Sequence, residues 1–257
     1  MDLPGMPDLL AAGFWGVVSG SALLVGALLA YAVSLPRRAI AAAMAFGAGV
    51  LISALSFDLM EEAFKRGGFI SCAAGFLGGA ALYTGASLLL AQGARHRKRS
   101  AGPPPSAEGQ VADSQSGLAV TIGTLIDGIP ESVAIGLTLV EGGVVSAAAV
   151  VAIFLSNVPE SLSASLGLRK AGYRARSVVA LWTTAIAVFG LAAMAGYGFF
   201  AGLPEGVVAA TTAVAAGGIL AMITDTMIPE AFEVAHDFAG MITVAGFLTA
   251  FALTKLA

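Results

Sequence analysis

A chain of 257 residues that is 58% apolar, 11% charged and has a mean hydropathy of +0.89 cannot present the roughly 25% charged residues of an ordinary water-soluble domain. Its 13 Lys and Arg, within a net charge of −3, are too few and too clustered to coat a nucleic-acid groove. One cysteine, Cys72, excludes a disulfide scaffold or a cysteine-rich metal finger. What remains is an all-α fold: a polytopic membrane helix bundle, one transmembrane unit over residues 1–257, with room for about eight spans of ~20 residues.

Long apolar runs bounded by charge, Gly or Pro predict spans over Leu9–Val33, Ala39–Phe64, Phe69–Leu90, Leu118–Val140, Val144–Leu168, Ser177–Phe200, Val207–Val234 and Met241–Leu256. No basic residue precedes the first run and no clear small-residue cleavage site follows it, so it reads as a span and not a signal peptide. Arg37 and Arg38 follow span 1; Arg95, Arg97, Lys98 and Arg99 follow span 3; Arg169, Lys170, Arg174 and Arg176 follow span 5. These alternate turns hold ten of the 13 basic residues. The positive-inside rule therefore predicts a multi-pass protein of the cell (inner) membrane with both termini extracytoplasmic. Residues 94–117, rich in Pro, Gly, Ser and charge, predict a disordered cytoplasmic loop between helices 3 and 4.

Nine acids fall inside these runs: Asp58, Glu61, Glu62, Asp127, Glu131, Glu160, Asp225, Glu230 and Glu233. A central charge costs about 2.5–3.5 kcal/mol, so nine would cost on the order of 25 kcal/mol if fully exposed to lipid. No Lys or Arg lies well inside a span to neutralise them. Water, protons or a bound cation must do so, which is what a cation pathway requires.

Spacing sharpens that reading. Asp127 and Glu131, in TLIDGIPESVAIG, stand at i and i+4 on one helical face. Ser156 and Asn157, in LSNVPESLSASLG, stand four and three residues before Glu160. Each Glu follows a proline. Pro130 cannot donate to the Ile126 carbonyl nor Pro159 to that of Leu155, so each helix should bend and expose a carbonyl oxygen, a feature suited to a cavity or an ion site at membrane depth. Span 7 repeats the device with Asp225, Pro229 and Glu230, and span 2 reads FDLMEEAF with Asp58, Glu61 and Glu62. IPES returns as VPES and EEAF as PEAF, pairing span 4 with 5 and span 2 with 7 in opposite directions, the pattern of an inverted repeat. Glu61 and Glu62 are adjacent, so only one of them is expected to face the site. Glu141 falls in an outer turn, where it would merely attract cations.

These motifs resemble the ZIP (zinc/iron-regulated transporter-like) family over nearly the whole chain, most of all its bacterial GufA-like branch. The family has eight spans, outside termini and a variable loop between spans 3 and 4. Its span 4 hallmark, His-Asn-x-Pro-Glu-Gly, is matched by Asp127-Gly128-Ile129-Pro130-Glu131-Ser132, and the similar span 5 motif by Ser156-Asn157-Val158-Pro159-Glu160-Ser161. The Pro-Glu core is intact in both. The expected histidines are replaced by Asp127 and Ser156, Asp225 and Thr226 stand where similar members carry His-Glu, and span 6 has no acid to complete a second metal site.

The expectation is a divalent metal uptake transporter, not an enzyme. Asp127, Glu131 and Glu160 would supply charge, with Asn157 and Ser156 completing the shell. Asp58 with Glu61 or Glu62 would help the metal in, and Asp225 and Glu230 would help it out. The resemblance implies Zn²⁺ as cargo, whereas an oxygen-only ligand set suits Mn²⁺ or Mg²⁺, and also Fe²⁺, better than a zinc-selective site; Cd²⁺ is a further candidate. No cofactor and no nucleic acid is expected; the partners are the cation and the lipid bilayer, with homodimer formation left open. One rival is a proton- or sodium-coupled carrier using the same acids without a metal substrate. An intramembrane hydrolase, the other, lacks a nucleophilic or basic partner. No GxxxxGK[ST] loop for nucleotide binding is present.

Overall fold

The computed structural model describes residues 3, 5–100 and 108–256, with the side chains of 90–122, 126, 142 and 256 outside the description. Of the loop expected over 94–117, residues 101–107 lie outside the described residues; helical backbone runs up to Ser100 and begins again at Glu108. Every element among the described residues is helical. In chain order they are α1 (Asp8–Gly20), α2 (Ala22–Ala32), α3 (Arg37–Ala54), α4 (Glu61–Ser100), α5 (Glu108–Gly142), α6 (Ala147–Lys170), α7 (Ala175–Phe200), α8 (Glu205–Met222), α9 (Ile228–Ala235) and α10 (Ala239–Leu256). Short π-helical segments, Leu55–Met60 and Ile223–Met227, join α3 to α4 and α8 to α9.

Among the described residues six continuous runs are long and apolar enough to cross a membrane: Asp8–Ala32, Arg37–Leu89, Gly123–Glu141, Ala147–Lys170, Ala175–Phe200 and Glu205–Lys255. These are the lengths of a membrane-embedded helix bundle. Spans 2 and 3 of the sequence reading merge into one run of 53 residues, and spans 7 and 8 into one of 51. Each run is interrupted once by a residue that helix geometry excludes, Gly68 (φ 68°, ψ 178°) in the first and His236 (φ 38°, ψ −107°) in the second. Gly68 has no Cβ to oppose a positive φ, so the chain can turn there at little cost.

Local chemistry explains three helix starts. Pro36 and Pro204 precede α3 and α8, where a residue without an N–H starts a helix without loss. The Ser146 hydroxyl caps α6 by accepting from the Ala149 N–H at 3.1 Å. Small residues let the helices meet at their backbones. A Cβ on Gly49 of α3 would overlap the Thr243 carbonyl of α10, and one on Gly246 of α10 would overlap that of Phe46. The same reciprocal contact joins Gly79 of α4 to Val214 of α8, and Gly217 of α8 to Phe76.

Packing sorts the helices into two groups. α1, α2, α5, α6 and α7 pack on one another, around a core that includes Leu23, Trp182 and Phe189. α3, α4, α8, α9 and α10 form the second group, and the two meet mainly along α3–α6 and α5–α8. Leu55, Ile135 and Met222 belong to the cluster that fills this junction. The Pro-Glu helices α5 and α6 therefore lie side by side, with α3 and α8 across from them.

Candidate functional site

The two Pro-Glu-Ser motifs adopt the same local bonding. Ser132 donates to the Gly128 carbonyl at 2.7 Å, and Ser161 to that of Asn157 at 2.8 Å, each four residues back. The hydroxyls are thereby spent on their own helices, leaving the glutamates free to point elsewhere. Close packing explains Gly128: a Cβ there would overlap the ring of Phe189 on α7, which is itself buried.

Between these helices lies a group of buried polar atoms with nothing to bond to. Glu131 is 1% exposed and Asn157 0%. Both carboxylate oxygens of Glu131, both side-chain polar atoms of Asn157 and Oε1 of Glu160 have no hydrogen-bond partner. Each such group costs about 1–3 kcal/mol, and more when charged, so their concentration at one place calls for a role. Ser156, also buried, donates to the Ile153 carbonyl at 3.0 Å. Among the described residues no salt bridge reaches Asp127, Glu131 or Glu160.

Glu160 lies within electrostatic reach of Glu131, Asp127 and Glu230. Three of these four acids, Asp127, Glu160 and Glu230, open onto one cavity of about 320 Å³. Met44 of α3, Gly123 and Thr124 of α5, and Thr226 and Met227 complete its lining. Glu230 is held from across the groups by the Ser163 hydroxyl of α6, which donates to its Oε1 at 2.5 Å. Asp127 accepts a hydrogen bond from the Tyr83 hydroxyl of α4. Asp225 is exposed beside this cavity's Thr226 and does not line it.

The second-span acids divide differently. Asp58 lines a separate cavity of about 300 Å³ with Val144–Ala148, Val151, Leu253 and Thr254, and its Oδ2 is buried without a partner. Glu61 pairs with Lys65 at 2.8 Å and lies 3.9 Å from Lys255, while Glu62 pairs with Arg66 at 2.7 Å. Both glutamates thus carry counter-charges on the next helical turn, and neither is among the residues lining the Asp58 cavity or the cavity of Asp127 and Glu160. Each pair forms because a Lys or Arg stands four residues after the glutamate on the same face.

Among the described residues no group of three or more His, Cys, Asp or Glu side chains is spaced to hold a metal ion. Glu131 of α5 and Glu160 of α6 lie within electrostatic reach of each other, while Asp127 accepts from Tyr83.

Several residues of this region were missed by the sequence reading. Tyr83 carried a signal, since Ser87 stands one turn after it on the same face of an apolar helix and bonds to it. Met44 carried none; only packing brings it to the cavity. Glu141, expected as a loose outer residue, is 7% exposed and accepts from Thr212 at 2.5 Å. Both π-helical segments contain one of the expected acids, Asp58 and Asp225; such widened turns often occur at functional sites. Neither a protein-family model nor a curated protein matches the chain.

Proposed function

We propose that this protein is a divalent metal cation carrier of the cell membrane, in keeping with its resemblance to the ZIP family, and that it moves metal toward the cytoplasm. The observation that carries the reading is the set of orphaned buried atoms on Glu131, Asn157 and Glu160, with no cationic side chain among the described residues paired to them. A dication is the partner that such a set of oxygens suits. Glu131, Glu160 and Asn157 bind the ion, Ser156 adds its oxygen, and Asp127 joins when it leaves Tyr83. Asp58 and its cavity receive the metal, with Glu61 and Glu62 at the rim. Glu230 and Asp225 conduct it out of the larger cavity. Zn²⁺ stands first as cargo: Met44 and Met227 line that cavity, and thioethers favour softer ions over Mn²⁺. Fe²⁺ and Cd²⁺ fit the same set.

Eight crossings follow if the chain turns at Gly68 and at His236, and both termini then lie outside. An inverted repeat is supported by the exchange of partners between helices: α3 packs on α10 as α4 packs on α8, and α2 on α6 as α7 on α5. Transport by one helix group moving against the other would expose the central acids first to one side and then to the other.

Uptake of Zn²⁺ into liposomes tests the assignment. Loss of even a supporting residue at a metal site costs about 10–100-fold, so Glu131→Ala and Glu160→Ala should each lower uptake at least tenfold. Normal uptake by both variants would reject the carrier reading.

A further inference from the structure

The two helix groups are bonded to each other at a point far from the acid-lined cavity. Arg66, near the start of α4, donates through Nε to Glu62 at 2.7 Å and through Nη2 to the backbone carbonyl of Glu141. The Glu141 carboxylate, buried at the end of α5, accepts from the Thr212 hydroxyl of α8 at 2.5 Å. A single residue of one group is therefore held through both its backbone and its side chain by two helices of the other. Glu141 lies 14 residues beyond Asp127 on α5, which is about 21 Å along a helix. The bond thus closes the end of the α5–α8 contact opposite the cavity of Asp127 and Glu160. The chain leaves α5 there directly into Val144–Ala148, the lining of the Asp58 cavity.

We propose that Arg66, Glu141 and Thr212 form a latch that holds the two helix groups together on the Asp58 side, and that its release lets the Asp58 cavity reach Glu131. The idea rests on the carrier reading, since only a carrier requires the groups to part. The bonding suits a latch. A guanidinium bond to a carbonyl and a hydroxyl bond to a carboxylate hold one geometry, and Arg66 and Glu141, near the ends of their helices, can be rehydrated once the groups separate. Glu62 keeps Arg66 aimed when the latch is open, because that ion pair lies within α4.

Thiol accessibility in the full-length protein, with Cys72→Ser as background and without added metal, tests the latch independently of transport. Ala148→Cys reports on the Asp58 cavity and Thr226→Cys on the acid-lined one. Removing one hydrogen bond should shift a two-state balance about three- to tenfold. Thr212→Val and Arg66→Met should each raise the ratio of maleimide reaction rates at Ala148→Cys and Thr226→Cys by that factor. Glu141→Gln, which retains an acceptor for Thr212, should shift it less and in the same sense. An unchanged or lowered ratio in every variant that purifies like its parent overturns the latch. A shifted ratio accompanied by normal uptake in Glu131→Ala and Glu160→Ala would show that the contact holds the groups together but would overturn its role in transport along with the carrier reading.

Discussion

Glu61 and Glu131 are both glutamates in apolar helices, yet the structure treats them in opposite ways. Glu61 is accompanied by Lys65 one turn away and Lys255 nearby, at a partly exposed helix end. Glu131 is 1% exposed, and neither of its oxygens has a hydrogen-bond partner. Of these two acids, one is neutralised where it stands and the other is left open. Counting acids in apolar runs does not separate the two kinds.

Stability measurements should expose this difference most strongly. A ligand present at 100 times its Kd stabilises the folded state by about 2.7 kcal/mol. Zn²⁺ should therefore raise the unfolding temperature of the wild type and leave that of Glu131→Met unmoved. Without metal the same variant should be more stable than wild type by about 1–3 kcal/mol, because an apolar side chain replaces an unpaired buried carboxylate. A variant less stable than wild type in metal-free detergent would place Glu131 among ordinary structural residues and break the contrast.

The packing around the central acids offers a second test. Gly128→Ala would drive a methyl group into the Phe189 ring, and overpacking of this kind costs about 1–3 kcal/mol. Phe189→Leu should restore part of that loss, as read by thermal unfolding of the double variant. The smallest effect belongs to the other region. Glu61→Gln removes a solvent-screened partner of Lys65 and should change Zn²⁺ uptake by less than about twofold. A tenfold loss there would move Glu61 from the rim into the pathway.

The helices of the candidate site could be read from residue order: the i, i+4 spacing of Asp127 and Glu131 and the repeated Pro-Glu-Ser set these acids on two helices, and those helices lie side by side. The expected span Ser177–Phe200 agrees closely with α7, Ala175–Phe200, since apolar runs ended by charge or Gly have few alternatives inside a bilayer. Glu62 with Arg66 and Glu61 with Lys65 were also present as i, i+4 pairs. Lys65 and Arg66 stand at the end of the apolar run, where only the folded helix shows that they turn back onto these acids.

Composition and hydropathy by themselves determined a helical membrane bundle with acids at depth, because lipid accepts few other structures for such a chain. Only the tertiary structure decided which acids would be left without partners. Periodicity defines one face of one helix, whereas Tyr83 meets Asp127, Ser163 meets Glu230 and Arg66 meets Glu141 across helices that are distant in sequence. Those meetings depend on the register in which glycine-lined surfaces settle against one another, and no local pattern along the chain encodes that register.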